Sequence, residues 1–367
     1  MGELVEEILL RFPPDDPGSL LSTALVCKAW CRLVSGPGFN RRFREFHHQT
    51  SPPVLGFLCT IYDYESSGGA EIRFVPTTTS FRRLPHAAFM PNWRPVDARH
   101  GRILFYDLEN MVPTCEPVRL QFIVWNSIAG EASRLPLVPM YTQPTMWNAA
   151  LLCDHDPFRV VLVASVGAFT SACIYSSKQH LWSTPISAPH PRASLVRGSN
   201  ALSLIGSALY FMCRERWILE YDMSKQELSL ITMPLPCNNH MCIALMNAED
   251  GGLGFAVILQ SNLYTWSRVV GLDGAGIWAQ QRVFGLNNLL RPFSALLTNT
   301  APTTRVVAAE NDLSVIFKGT CGGLFVIDLK FGRLRKICDR SDDCNIRGIV
   351  PYASFYILHS SCLERPL

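Results

Sequence analysis

Ile218-Leu219-Glu220-Tyr221-Asp222-Met223-Ser224-Lys225 is an apolar stretch that ends in polar residues, and a second apolar stretch, Leu228-Ser229-Leu230-Ile231, follows it with Pro234 just beyond. Short apolar runs bounded by Asp, Ser, Gly or Pro are typical of β-strands, and a few polar residues between two such runs are typical of a turn. This stretch therefore predicts a β-hairpin.

The same unit recurs along the chain. Clear copies occupy residues 122–136, 172–185 and 324–337, and weaker copies occupy residues 72–85 and 266–278. The markers Trp125, Tyr175 and Tyr221 are separated by 50 and 46 residues, close to the roughly 40 to 50 residue period of kelch and WD-repeat blades. Six copies predict a kelch-like β-propeller of about six blades, which leaves only short, protected sheet edges. A pair of β-sandwiches is the alternative that the strand pattern leaves open.

The first fifty residues have helical periodicity instead. Leu4, Ile8 and Leu9 recur at helical spacing, and Pro13-Pro14 ends that first helix. Residues 19–34 carry more apolar positions than one stripe can hold, which predicts two short helices, and a basic helix follows around Phe43. The helical pattern disappears after Ser51-Pro52-Pro53. We therefore expect a multidomain α plus all-β fold, with a helical domain at residues 1–48 and a propeller at residues 49–367.

Composition and charge narrow the possible function. The chain has 367 residues and is 48% hydrophobic, which suffices for a substantial core. Its net charge is only +3, so no electrostatic feature points to nucleic acid. The acidic N-terminus lacks the features of a signal peptide, and no apolar run is long enough to span a bilayer. Thirteen irregularly spaced cysteines without a glycosylation sequon indicate reduced thiols, hence the cytosol or nucleus.

Four segments of the N-terminal region resemble successive parts of an F-box: Glu7-Ile8-Leu9-Leu10-Arg11-Phe12-Pro13, Ser19-Leu20-Leu21, Val26-Cys27-Lys28-Ala29-Trp30 and Leu33-Val34-Ser35-Gly36-Pro37-Gly38-Phe39. In the F-box family these helices dock on a Skp-type adaptor, which connects the protein to a cullin-RING ubiquitin ligase. The resemblance implies that one set of residues either contacts the adaptor or holds the docking surface together: Leu4, Ile8, Leu9, Leu20, Leu21, Val26, Trp30 and Leu33. The chain lacks the Leu-Pro pair that usually precedes the first F-box helix.

The remainder of the chain resembles the propeller-type associated domain of a large plant F-box family that is prominent in grasses. Strings that carry this resemblance include Ala98-Arg99-His100-Gly101-Arg102-Ile103-Leu104-Phe105, Pro157-Phe158-Arg159-Val160-Val161 and Gly323-Leu324-Phe325-Val326-Ile327-Asp328-Leu329. They imply an architecture and not a particular target. Loops at one rim of the propeller are expected to bind the target protein, although the sequence does not indicate which rim. Trp93, Trp147 and Trp217 are candidate anchors there, with packing between blades as the equal alternative.

Common catalytic and metal-binding motifs are absent from the sequence. It contains no G-x-S-x-G, no G-x-x-x-x-G-K-[ST] and no H-E-x-x-H pattern. Cys237, His240 and Cys242 are close together, but their spacing fits no common zinc site, and Asp342-Asp343 beside Cys344 reads as a solvated loop. We therefore expect no cofactor, no metal and no catalysis.

These observations predict a non-catalytic receptor subunit of a Skp-cullin-F-box ubiquitin ligase. The F-box would dock on the adaptor and the propeller would bind a protein target of unknown identity, with neither nucleic acid nor membrane as a partner. The alternatives are an F-box scaffold that works without ubiquitination and, less consistent with the motifs, a propeller hydrolase.

Overall fold

The structure is a computed structural model, and it describes a defined set of residues: 2–14, 16–24, 26–47, 52–62, 70–77, 84, 92–107, 120–127, 129–139, 146–153, 157–190, 195, 202–214, 216–234, 243–271, 276–292, 305–311, 314–319, 323–338 and 346–355. Four helices come first, followed by strands. No helix in these ranges is both long and apolar enough to cross a membrane.

The N-terminal helices are α1 Gly2–Leu10, α2 Pro17–Ala24, α3 Lys28–Val34 and α4 Pro37–Phe46. The predicted break within residues 19–34 is the connection between α2 and α3. Helix α4 starts earlier than the phenylalanine spacing indicates, because Pro37 takes its first position, where a fixed φ and a missing N–H are tolerated. The last N-terminal helix ends at Phe46, and the first strand begins at Val54.

The strands form six antiparallel sheets, which are the blades of a propeller. Blade 1 contains β3 Trp93–Arg99, β4 Arg102–Asp107, β5 Phe122–Asn126 and β6 Glu131–Arg134. Blade 2 contains β7 Met146–Leu152, β8 Arg159–Val166, β9 Phe169–Ser176, and an outer strand in two pieces, β10 Leu181–Trp182 and β11 Ile186–Pro189. Blade 3 contains β12 Leu202–Ile205, β13 Ala208–Met212, β14 Trp217–Asp222 and β15 Glu227–Thr232.

Blades 4 and 5 follow the same order. Blade 4 contains β16 Ile243–Asn247, β17 Leu253–Leu259, β18 Asn262–Val270 and β19 Gly276–Gly285, after which comes the short helix α5 Leu286–Leu290. Blade 5 contains β20 Arg305–Asn311, β21 Ser314–Gly319, β22 Gly323–Asp328 and β23 Arg333–Cys338.

Blade 6 is built from both ends of the propeller sequence. Its innermost described strand, β24 Ile346–Ala353, pairs with β1 Val54–Tyr62, which pairs in turn with β2 Ala70–Pro76. The last strand therefore closes the ring against the first one. Six blades in a closed ring confirm the predicted propeller and exclude the pair of β-sandwiches.

The innermost strands of the blades run in the same direction around the ring axis. Between β3 and β7 this is visible in two contacts with the same residue offset: the Leu151 N–H donates to Asp97 Oδ2 at 2.8 Å, and Cys153 Sγ donates to the Arg99 carbonyl at 3.2 Å. Consequently the first strand of every blade ends on one face of the propeller. We call this the near face, and the opposite face the far face.

The repeated unit recognised in the sequence is the outer hairpin of the blades. In four of them the third strand ends in a polar residue, and the residue four positions later has positive φ: Gly130, His180, Gln226 and Gly332. In the turn after β22 the Asp328 carboxylate accepts the N–H groups of Lys330 and Phe331 at 2.8 and 3.0 Å. Such a side chain fixes the turn, which is why Asp, Asn and Ser recur there.

Apolar side chains fill every junction between neighbouring blades. Six of the seven hydrophobic clusters among the described residues lie each between two blades, from the blade 6 and 1 junction round to the blade 5 and 6 junction. At the periphery, a tryptophan indole near the start of the outer strand of one blade donates a hydrogen bond to a carbonyl near the end of the outer strand of the preceding blade. Trp182 Nε1 donates to the Pro136 carbonyl at 2.8 Å, and Trp278 Nε1 donates to the Thr232 carbonyl at 2.7 Å.

A buried tyrosine links the closing strand to blade 1. The Tyr352 hydroxyl lies 2.7 Å from Ser127 Oγ, and Ser127 Oγ also donates to the Gly101 carbonyl at 2.7 Å. Burial raises the pKa of Tyr352 to about 12. In the unfolded chain a tyrosine ionises near pH 10.

Stability should therefore fall as the pH rises from about 10 towards 12, because the unfolded state releases the Tyr352 proton first. A series of unfolding midpoints against pH, run for the native chain and for Tyr352→Phe, checks this. The variant should lose stability less steeply over this range. An identical slope in both proteins would show that Tyr352 does not contribute to the alkaline sensitivity.

Candidate functional site

The four N-terminal helices surround a small apolar core. Its buried members are Leu9, Leu10, Leu20, Ala24, Val34, Phe39, Phe43 and, from the far end of the chain, Phe355. Leu9 and Leu20 were predicted either to contact an adaptor or to hold its docking surface together. The structure places both side chains in this core, 2% and 3% exposed.

Three other residues of the predicted set are strongly exposed. Leu4 is 70% exposed, Ile8 61% and Val26 66%. Leu4 and Ile8 lie one turn apart on α1, whose other side carries Leu9 and Leu10 into the core. Large apolar side chains in such positions cost solvation free energy, and clusters of them mark interaction sites in soluble proteins.

The remaining residues of the predicted set are partly buried or not described. Leu33 is partly buried against the helical core, and Trp30 is half-buried on α3. Leu21 lies in α2, but its side chain is outside the described residues. Of the predicted set, Leu4, Ile8 and Val26 are therefore exposed among the described side chains, with Trp30 partly available.

Polar contacts hold α1 against α4. Arg42 forms ion pairs with Glu6 and Glu7, both at 3.0 Å, and His47 Nε2 lies 2.9 Å from the Leu10 carbonyl oxygen. Pairs this exposed are worth about 0.2–1 kcal/mol each. They are compatible with the rotation of α1 that buries Leu9 and leaves Ile8 exposed.

The helical domain sits at the near face of the propeller. The strand that follows it, β1, starts at Val54, and Val54 pairs with Ala353 at the end of β24. The Ser354 N–H then donates to the Pro53 carbonyl at 3.1 Å, and Phe355 enters the helical core. The far face is left without the helical domain.

The far face carries the connections between second and third strands and those between successive blades. Most residues of the longer connections lie outside the described ones.

The candidate anchors Trp93, Trp147 and Trp217 pack inside the propeller instead of standing free at a rim. Trp147 is fully buried, Trp93 is buried against Phe105 at a ring distance of 5.4 Å, and Trp217 is partly buried between blades 2 and 3. Packing was thus the correct alternative for Trp93 and Trp147.

A cavity of about 320 Å³ opens at the periphery between blades 2 and 3. Two of its carboxylates, those of Glu220 and Asp222, are engaged within the protein, and Glu220 accepts from Tyr210 at 2.9 Å and from Ser229 at 2.7 Å. The hydrogen bond from Ser224 and further ones from Lys225 hold the pKa of Asp222 far below its usual range. These hydrogen bonds connect neighbouring strands of blade 3 and fix the turn that follows Asp222.

The residues considered for metal binding are placed as follows. Six of them lie outside the described residues: Cys237, His240, Cys242, Asp342, Asp343 and Cys344. Cys213 is fully buried, and burial raises the pKa of its thiol to about 12, so it is held as a neutral packing group. Within the ranges that the structure covers, no three His, Cys, Asp or Glu side chains come together as a possible metal site.

Comparisons with known proteins agree with this architecture. The family model described as F-box protein AT5G49610-like, beta-propeller matches residues 96–356, and the F-box domain model matches residues 3–42. No curated protein gives a significant match. Among solved structures, the crystal structure of a protein from Lactobacillus plantarum, a Northeast Structural Genomics Consortium target, is 14% identical with a TM-score of 0.43, over 78% of this chain and 82% of that one.

That structural likeness is too distant to carry an argument, whereas the two family models are specific. The F-box model spans the four helices almost completely, and the propeller model spans most of the ring from β3 to the closing strand. The chain therefore belongs to the family of F-box proteins with an AT5G49610-like β-propeller.

Proposed function

We propose that this protein is the substrate-recognition subunit of a Skp-cullin-F-box ubiquitin ligase. The F-box docks on a Skp-type adaptor, the adaptor recruits the cullin-RING ligase, and the propeller binds a protein target. The protein contributes proximity and orientation, and its partners supply the chemistry. It would work in the cytosol or nucleus, in keeping with the free thiols of the described cysteines.

The exposed apolar side chains of the F-box carry the adaptor part of this proposal. Leu4, Ile8 and Val26 each leave more than half of their surface in solvent, although the same helices bury Leu9 and Leu20. A helical surface of this kind fits an apolar groove on a partner, which is a common mode of helix recognition.

The target-binding rim is proposed to be on the far face. The F-box and the chain segments around Val54 and Phe355 occupy part of the near face. The far face carries the longer loops between blades, and loops on a rigid scaffold are where binding specificity usually resides. A target held there would face away from the adaptor without competing with it.

A double substitution on α1 tests adaptor docking. In the full chain carrying Leu4→Asp and Ile8→Asp, the Kd for a purified Skp-type adaptor is expected to rise about a hundredfold or more, because two apolar anchors are replaced by charges. Binding is measured by isothermal titration or by retention on immobilised adaptor.

The propeller offers a matched control for this substitution. Leu181 and Ile277 are 65% and 69% exposed, similar to Leu4 and Ile8, but they lie on blades 2 and 4. The variant with Leu181→Asp and Ile277→Asp should bind the adaptor like the native chain. Equal loss in both variants, or no adaptor binding by the native chain, would refute the docking proposal. Point variants are preferable to deletion of residues 1–48, because that deletion would expose Phe355.

The scaffold alternative predicts a different result from the same variants. Proteins close to the propeller can be identified by proximity labelling in cells with the native chain. A ligase receptor shortens the half-life of at least one of them, and the Leu4→Asp, Ile8→Asp variant lengthens it again. If labelling persists and no half-life changes, the F-box acts as a scaffold.

A further inference from the structure

The residue that completes the F-box core comes from the propeller. Phe355 lies two positions after the closing strand β24, more than 300 residues from the helices, and it is buried among Leu9, Leu20 and Phe43. The F-box domain model ends at residue 42, so this contribution is outside the region that defines the domain.

The contact is an ordered aromatic one. The Phe355 ring meets the Phe43 ring edge-on, with centroids 6.5 Å apart and an interplanar angle of 81°. Along α4, Phe43 also contacts Phe39 at 5.8 Å and His47 at 4.6 Å. An edge-to-face pair at this distance has favourable geometry, so Phe355 packs against the middle ring of an aromatic row on α4.

Phe355 is also fixed firmly to the propeller. The preceding Ser354 is buried, and its N–H bonds the Pro53 carbonyl at 3.1 Å. One residue earlier in the chain, Ala353 pairs with Val54, and Tyr352 reaches Ser127 of blade 1. A side chain attached to such a strand has little freedom to follow a rotating F-box.

We propose that Phe355 is a positioning residue: it completes the F-box core from the propeller side and thereby fixes the direction of α1 relative to the ring. The F-box of this protein is then not an autonomous domain. On the proposed function, this fixed direction sets where a target on the far face stands relative to the ligase. Completion of the core by Phe355 does not depend on that function.

The test is Phe355→Ala in the full chain. Amide hydrogen exchange of the most protected positions in α1 and α4 should accelerate about a hundredfold or more, since a large cavity opens in a very small core. Exchange in blades 2 to 4 should be unchanged. Phe46→Ala is the matched control, because Phe46 lies on the same helix but is exposed. It should leave exchange in α1 as it is.

A distance measurement tests the orientation separately. Probes are placed at Arg41 on α4 and Lys178 in the outer turn of blade 2, both of which are exposed. In the native chain the distance distribution should be narrow, and in Phe355→Ala it should broaden. If Phe355→Ala does not fold, Phe355→Leu replaces it, with an acceleration of about tenfold expected for the smaller change in volume.

Unchanged exchange in α1 and α4 would overturn the proposal, because the core would then be complete without Phe355. Faster exchange with an equally narrow distribution would also overturn it, since Phe355 would stabilise the helices without orienting them. Neither measurement involves the adaptor or a target. Failure here is therefore distinguishable from failure of the proposed function.

Discussion

Replacement of Trp147 by alanine is expected to lower the free energy of unfolding by about 3–5 kcal/mol, the range for a large aromatic residue removed from a packed core. Trp147 lies near the start of β7 and is fully buried. Its indole packs against two blade 1 rings, Tyr106 at 4.9 Å and Phe122 at 5.4 Å, both nearly perpendicular to it. Without the indole, the junction between blades 1 and 2 loses its largest side chain.

The measurement is urea unfolding, with the m value compared between variants so that a change in midpoint can be interpreted as a change in stability. Trp278→Ala is the matched control, because Trp278 is a tryptophan of the same ring that is only partly buried at the periphery. Its expected loss is no more than half as large. A Trp278 effect equal to that of Trp147 would contradict the assignment of Trp147 as the principal packing residue.

Replacement of Gly56 by alanine is expected to cost about 1–3 kcal/mol or more through overpacking. A Cβ at Gly56 would lie 2.2 Å from Cζ of Phe74 and 2.7 Å from the Val75 carbonyl oxygen. The phenyl ring can move, but the carbonyl belongs to β2, which pairs with β1 at this position. The strain therefore falls on the blade that closes the ring.

Gly348→Ala is the control in the same sheet, since a Cβ there would meet its nearest neighbour, Thr60 Oγ1, at an ordinary 3.7 Å. Its unfolding midpoint should lie close to that of the native chain. Adding Phe74→Leu to Gly56→Ala should restore only part of the loss, because the contact with Val75 remains. Full restoration would show that the ring, and not the backbone of β2, is the obstacle.

The sequence was sufficient to predict the F-box and a propeller of about six blades, although it did not fix the exact number. The outer hairpins were recognisable because a polar turn of fixed length separates two strands, as around Asp222 and Asp328. The innermost strands gave a weaker signal. Strand β7, for example, is buried along nearly its whole length, so it shows no alternation between apolar and polar residues.

The candidate site was only partly predictable, for a related reason. Helical spacing identified Leu4, Ile8, Leu9 and Leu20 as apolar positions, but the choice between core and surface depends on what packs against α1. Part of that packing is Phe355, which no local pattern connects to the helices. Trp147 was a candidate anchor for the same reason, because its position on a buried inner strand depends on pairing with β8.

Closure of blade 6 by the two ends of the ring has a consequence for how the protein is made. The ribosome produces β1 early and its partner β24 near the end of the chain, so at about 5–20 residues per second β1 waits for tens of seconds with an edge unpaired. An unpaired strand edge invites incorrect pairing, so we expect nascent chains to depend on chaperones during this interval. A chain terminated before residue 346 would lack both the closing strand and Phe355. Such a product would lack a stable F-box. On the proposed function, incomplete chains would then not occupy the ligase.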